Sequence, residues 1–314
     1  MKKTLKTKIL STILLLCLLL SFAAFTACSA EPKPHIYIAI GDSVPSGYGL
    51  FSPEESYPAI FYELLKSEGY VDDYINMAES GATTTRLLEI LHAMDGENLH
   101  LFRQARIVTL NIGGNNILAP FLAYINALTE KLESDVNRIK DSGDWSGVWD
   151  IASGAVDFGF TFFGWFSDEL KSELENGVRT FSVEFKEIID WIEKNAPKAT
   201  IIVNKVYNPI PPEMKIVDIP ILDIPVYFPL DISEKANELI ESINAAILRE
   251  NEKAGYLILD SDTLLASLTY NSDRLNINLD LFSDDFSVDI HPNAEGHKLM
   301  AQSSYESFVQ YEKK

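Results

Sequence analysis

From residue 35 onward, short apolar runs alternate with amphipathic stretches, and that alternation predicts the fold class. HIYIAIG (35–41), RIVTLNIG (106–113), ATIIVNKVY (199–207) and YLILD (256–260) are largely apolar and β-branched, as strands buried on both faces are. DYINMAE (73–79) predicts a weaker fifth strand. Helical spacing fills the intervals at 56–69, which Gly69 stops, and at 84–94. It returns at 178–196, where Phe181, Phe185, Ile188 and Ile192 form one stripe and Pro197 ends the run. A further helix begins near Asp231, a cap with Glu234 three residues on, and buries Ala236, Leu239, Ile240, Ile243 and Ile247 before Gly255. Asn293 opens a closing helix, with His297 expected on its surface. Strands alternating with helices of this length imply right-handed crossovers and a parallel sheet.

Two stretches break the rhythm. Residues 119–177 stand where one helix would suffice, and they hold Trp145, Trp149, Phe158, Phe160, Phe162, Phe163, Trp165 and Phe166. Such aromatics suit either extra packed helices or a lid over an acyl chain. Residues 208–230 are proline-rich yet apolar, which predicts a loop packed over something.

The first 27 residues belong to targeting. Lys2, Lys3, Lys6 and Lys8 precede an apolar run from Ile9 to about Phe25, the order of a secretory signal. Phe25-Thr26-Ala27-Cys28 resembles a bacterial lipobox, in which the cysteine is lipidated and becomes the N-terminus. Ordinary cleavage after Ala30 is the alternative. Residues 28–34 then form a tether, and the expected location is the outer face of a bacterial membrane. Cys17 lies within the signal, so the exported chain has no internal disulfide.

Composition adds exclusions. With 46% hydrophobic and 23% charged residues the chain is globular, not disordered. A net charge of −20, or −24 without the four signal lysines, repels phosphates and excludes a nucleic-acid partner. His35, His92 and His100 show no paired ligand spacing, so neither a metal nor another cofactor is expected.

Four polar clusters carry the candidate chemistry. GDSVPSG (41–47), SGATTT (80–85) and GGNN (113–116) follow the first three strands, and DIHPN (289–293) precedes the last helix. Ligands of an open parallel sheet bind beyond the carboxyl ends of its strands, so folding would gather these clusters. Any one of them has a bland reading: Ser43 as a helix cap, Asn115 as a turn residue, His291 as a cap of the last helix.

Together they resemble the SGNH hydrolase superfamily, also called GDSL lipases and esterases. Gly41-Asp42-Ser43 matches the first block, with Val44 in place of leucine. Gly81 matches the second, Gly113-Gly114-Asn115 the third, with Asn116 where aspartate is usual, and His291-Pro292-Asn293 the fourth. The resemblance covers about residues 35–312. It implies a flavodoxin-like α/β/α sandwich on a five-stranded parallel sheet, with a helical insertion at about 119–177. It further implies ester hydrolysis through an acyl-serine, with Ser43 as nucleophile and His291 as base. The oxyanion hole would be the Ser43 and Gly81 N–H groups and the Asn115 side chain.

The acid stays open. The family places aspartate three residues before the histidine, but Val288 stands there. Asp289 is the nearest candidate, Asp285 and Asp284 lie further off, and a backbone carbonyl orienting His291 in a dyad is the alternative. The apolar stretches favour lipid-like or short-to-medium acyl esters. O-acetyl groups of envelope polysaccharide are the rival substrate, and a non-catalytic binding lipoprotein the rival class.

Overall fold

The computed structural model describes residues 35–117, 134, 168–209, 215–219, 224–227, 230–265, 274–276 and 289–314. The signal and tether, Cys28, Asp284, Asp285 and most of the 119–177 stretch lie outside them. Strands β1 (Ile36–Gly41), β2 (Asp73–Asn76), β3 (Ala105–Asn111), β4 (Thr200–Asn204) and β7 (Leu257–Leu259) form one parallel sheet in the order β2-β1-β3-β4-β7. The two-residue period of β1 sends Ile36, Ile38 and Ile40 to one core and Tyr37 and Ala39 to the other. Helices α3 (Thr84–Ala93), α5 (Asp168–Asn195) and α6 (Leu230–Ala254) cover the first face through Leu87, Leu91, Phe181, Phe185, Ile188, Ile192, Ile243 and Ile247. Helices α2 (Tyr57–Ser67) and α7 (Ala294–Glu312) cover the second through Phe61, Leu65, Met300 and Phe308. Three layers result, because a strand buried on both faces needs helices on both.

Some elements differ from expectation. Helix α5 begins ten residues before the predicted 178, inside the stretch assigned to the insertion. Its first turns are polar apart from Leu170 and the buried Leu174, so no apolar stripe marked them. Gly177 is no stop signal: a Cβ there would stand 2.1 Å from the Asn116 carbonyl oxygen, so the helix packs on that backbone through its glycine. Part of 208–230 is not loop but an antiparallel hairpin, β5 (Lys215–Ile219) with β6 (Ile224–Tyr227). Pro220 and Pro225 hid its β-branched residues from a reading by pattern. Helix α4 (Gly96–Phe102) was too short to predict.

His297 is fully buried, not on the surface. The Tyr57 N–H donates to its Nδ1 at 3.0 Å, so the neutral ring carries its proton on Nε2. Burial, with the nearby His291 charge, pushes its pKa down to about 3. The unfolded chain binds a proton near the ordinary 6.5 that the native chain refuses. Stability from this residue is therefore complete above pH 6.5 and is lost as pH falls toward 3, by at most about 5 kcal/mol. Thermal midpoints measured from pH 7 to 4 should fall more steeply for the wild type than for His297→Gln. Parallel curves would mean that other groups drive acid unfolding.

Candidate active site

The chain runs outward from β1 to the edge strand β2, then crosses back to β3 on the other side of β1. The carboxyl ends of β1 and β3 are therefore the switch point at which such sheets bind ligands. Ser43 follows β1 directly as the first residue of α1 (Ser43–Ser46). Asp42 caps that helix, its carboxylate accepting the Val44 N–H at 3.1 Å, and this fixes the turn that presents Ser43. Asn111, the last residue of β3, donates to the same oxygen at 3.1 Å, and Asn204 at the end of β4 donates to Asn111 at 3.1 Å. Three strand ends are thus tied by one buried chain of amides leading to Asp42. Burial raises the Asp42 pKa to about 6, against the pull of Val44, Asn111 and the His291 charge.

The fourth cluster closes on the first. His291 Nε2 lies 2.8 Å from Ser43 Oγ, across 248 residues of sequence. On the other side of the ring, His291 Nδ1 lies 2.5 Å from Asp289 Oδ1, and the His291 backbone N–H donates to the same oxygen at 3.0 Å. A carboxylate accepting the N–H two residues on makes an Asx turn, and that turn brings a side chain at this spacing onto the ring. Of the alternatives left open by sequence, the structure brings Asp289 to the histidine. Burial pushes the Asp289 carboxyl up, but the His291 ring, backbone N–H and charge, with Asn276, hold it below the usual carboxylate range. With Nδ1–H given to Asp289, Nε2 is free to accept the Ser43 O–H.

Facing the serine, Ser80, Gly81, Gly114 and Asn115 line a cleft of ≈ 200 Å³ together with Val44, Tyr48, Val206, Tyr207 and Ile290. No other described residue accepts the N–H of Ser43 or of Gly81. Gly81 holds φ at +83° with open space where a Cβ would stand, so conformation and not crowding calls for glycine. Asn115 Nδ2 donates to the Ala82 carbonyl at 3.0 Å, which orients the amide and leaves its second N–H for a ligand. Asn116 clasps Thr84 through both its amide groups, at 3.2 and 2.8 Å, locking the second cluster to the third. Lys205 also reaches the cleft, paired to Asp260 at 2.9 Å. Among the described residues, no group of three His, Cys, Asp or Glu could hold a metal ion.

Four of the sequence-predicted site residues, Ser43, Gly81, Asn115 and His291, therefore line one cleft, and Asp289 stands behind His291. Asn111, Tyr48, Lys205 and Asn276 were not foreseen, and Asp42 entered only as part of the Gly41-Asp42-Ser43 block without a role of its own; the strand-end positions of Asn111 and Lys205 were the only further signal.

Against known proteins, the chain matches the GDSL-like lipase/acylhydrolase family over residues 39–299. The chain belongs to that family. It is accordingly a carboxylic ester hydrolase. No curated protein matches it. Among solved structures, the extracellular lipase of Streptomyces rimosus aligns with a TM-score of 0.53 at 18% identity, over 87% of this chain and 99% of that one. Phospholipase A1 from Streptomyces albidoflavus NA297 gives 0.52 at 16%, over 88% and 100%. A lipase from a goat rumen metagenome gives 0.51 at 14%, over 87% and 97%. At these identities the likeness is one of fold alone.

Proposed function

We propose that this hydrolase cleaves esters through an acyl-serine on Ser43, with His291 as general base and acid and Asp289 as its orienting carboxylate. The reading rests on one observation: an unbroken chain of hydrogen bonds from Asp289 through His291 to Ser43, opening on a cleft. His291 takes the Ser43 proton as Oγ attacks the carbonyl carbon, and returns it to the leaving alcohol. The negative oxygen of the tetrahedral intermediate is met by the N–H groups of Ser43 and Gly81 and by Asn115. Water, activated by His291, then releases the acid.

The substrate is an ester with a lipid-like or short-to-medium acyl chain. Val44, Tyr48, Val206, Tyr207 and Ile290 give the cleft apolar walls, on which methylenes bury favourably. A series of p-nitrophenyl esters from acetate to decanoate tests both substrate and oxyanion hole. kcat/KM should rise beyond acetate, and Asn115→Ala should lower kcat roughly 10²–10³-fold with KM little changed. A preference for acetate alone, together with deacetylation of acetylated glycans, would move the substrate to polysaccharide. An effect of Asn115→Ala confined to KM would make it a ground-state binder.

The protein is exported and anchored through lipid on Cys28. The basic n-region, apolar run and lipobox-like Phe25–Cys28 support this. Cys28→Ser should move the protein out of the membrane fraction or leave it unprocessed. Identical fractionation of both forms would point to ordinary cleavage.

A further inference from the structure

We propose that Asn276, with the backbone of Gly49, is a positioning residue for the acid, holding the side of the Asp289 carboxylate that the His291 turn does not. The proposal depends on the roles of Ser43, His291 and Asp289 given above.

The Asx turn engages only Oδ1, which accepts both the ring and the backbone N–H of His291. Rotation about the carboxylate bond is soft, so one oxygen alone fixes the group poorly. Oδ2 accepts the Asn276 amide at 3.3 Å, and the same amide lies 3.3 Å from the Gly49 carbonyl oxygen. Gly49 stands in the loop after α1 and follows Tyr48, whose ring rests against the His291 ring at 4.6 Å. One uncharged side chain therefore joins the loop that follows the nucleophile to the acid.

Asn276 is itself held in place. Its N–H donates to the His291 carbonyl at 2.9 Å, Leu275 bridges Pro292, and the Asn293 N–H donates to the Arg274 carbonyl at 2.9 Å. The space is full as well. A Cβ on Gly49 would stand 2.5 Å from Asp289 Oδ2 and 2.6 Å from Asn276 Nδ2, and φ there is +81°. The chemistry suits the task, since a part-buried carboxylate needs a donor in place of water. A lysine or arginine would supply one but would also neutralise the charge that stabilises protonated His291. An amide donates without doing so.

The test compares Asn276→Ala and Asn276→Asp, in a chain otherwise intact, on a soluble p-nitrophenyl ester, with thermal midpoints and a Ser43→Ala control. Asn276→Ala should lower kcat roughly 10- to 100-fold, the size expected for losing a hydrogen bond to a charge, with KM and midpoint little changed. Asn276→Asp keeps the shape but replaces the donor with a like charge, so it should lose at least as much. If the alanine variant fails to fold, the near-isosteric aspartate variant decides alone. Wild-type kcat in Asn276→Asp would mean that the residue only fills space and would overturn the proposal. So would a loss expressed in KM alone. Turnover near the wild-type rate in Ser43→Ala would instead sink the reading of the site itself, whatever the Asn276 variants do.

Discussion

Ser43→Ala is expected to abolish labelling by a fluorophosphonate and to cut ester turnover by about 10⁶-fold, the scale seen when a triad nucleophile is deleted. The hydroxyl lies 2.8 Å from His291 Nε2, and its removal leaves the imidazole with no proton to take. The fold should not suffer. Ser43 is the first residue of α1, a position alanine accepts, and the cap of that helix comes from Asp42. The thermal midpoint therefore separates lost chemistry from lost structure. A residual rate above water would still be expected from the oxyanion donors. Two other serines serve as internal controls: Ser46 spends its hydroxyl on the Ser43 carbonyl at 2.8 Å, and Ser80 lines the cleft. A label mapped to either, or full labelling of the alanine variant, would overturn the assignment.

Asp289→Asn should cost nearly as much, approaching ~10⁴-fold in kcat near neutral pH. The substitution is informative because asparagine also forms Asx turns, so the backbone of 289–291 is retained. What changes is charge and tautomer. In the proposed mechanism the carboxylate accepts the Nδ1–H and stabilises the imidazolium that forms when Ser43 attacks. An amide carries no charge to balance the imidazolium. Turned about, its NH₂ favours the tautomer protonated on Nε2, where the Ser43 proton has to go. Asp285→Asn should leave kcat near wild type, since Asp289 already occupies Nδ1. A large loss at Asp285 with a small one at Asp289 would reassign the acid. Small losses at both would leave a Ser43–His291 dyad held by a backbone carbonyl.

The sheet was legible because its central strands β1, β3 and β4 are largely buried on both faces and so leave nearly unbroken apolar runs. The oxyanion candidates were legible because a glycine and an amide in fixed order after successive strands have few structural uses in common. The additional members of the site carry no such mark. Asn111 and Asn204 look like strand ends, and only the pairing of β1 with β3 and of β3 with β4 lines them up behind Asp42. His297 looked exposed because it sits on the closing helix. Tertiary packing set it beneath Tyr57, where desolvation keeps it neutral.

The sequence by itself determined the layered parallel sheet, the cleft at its carboxyl edge, and Ser43, Gly81, Asn115 and His291 as residues that meet there. Local patterns and strand order suffice for those, since each side chain is presented by the strand or helix end it adjoins. Which carboxylate meets His291 was decided by tertiary structure. An aspartate two residues from a histidine faces away from it in a strand and toward it in an Asx turn, and no local preference chooses between them. The choice follows from the antiparallel contact of Leu275 with Pro292 and from Asn276 meeting both Asp289 and Gly49, contacts that join distant parts of the chain and exist only once it has folded.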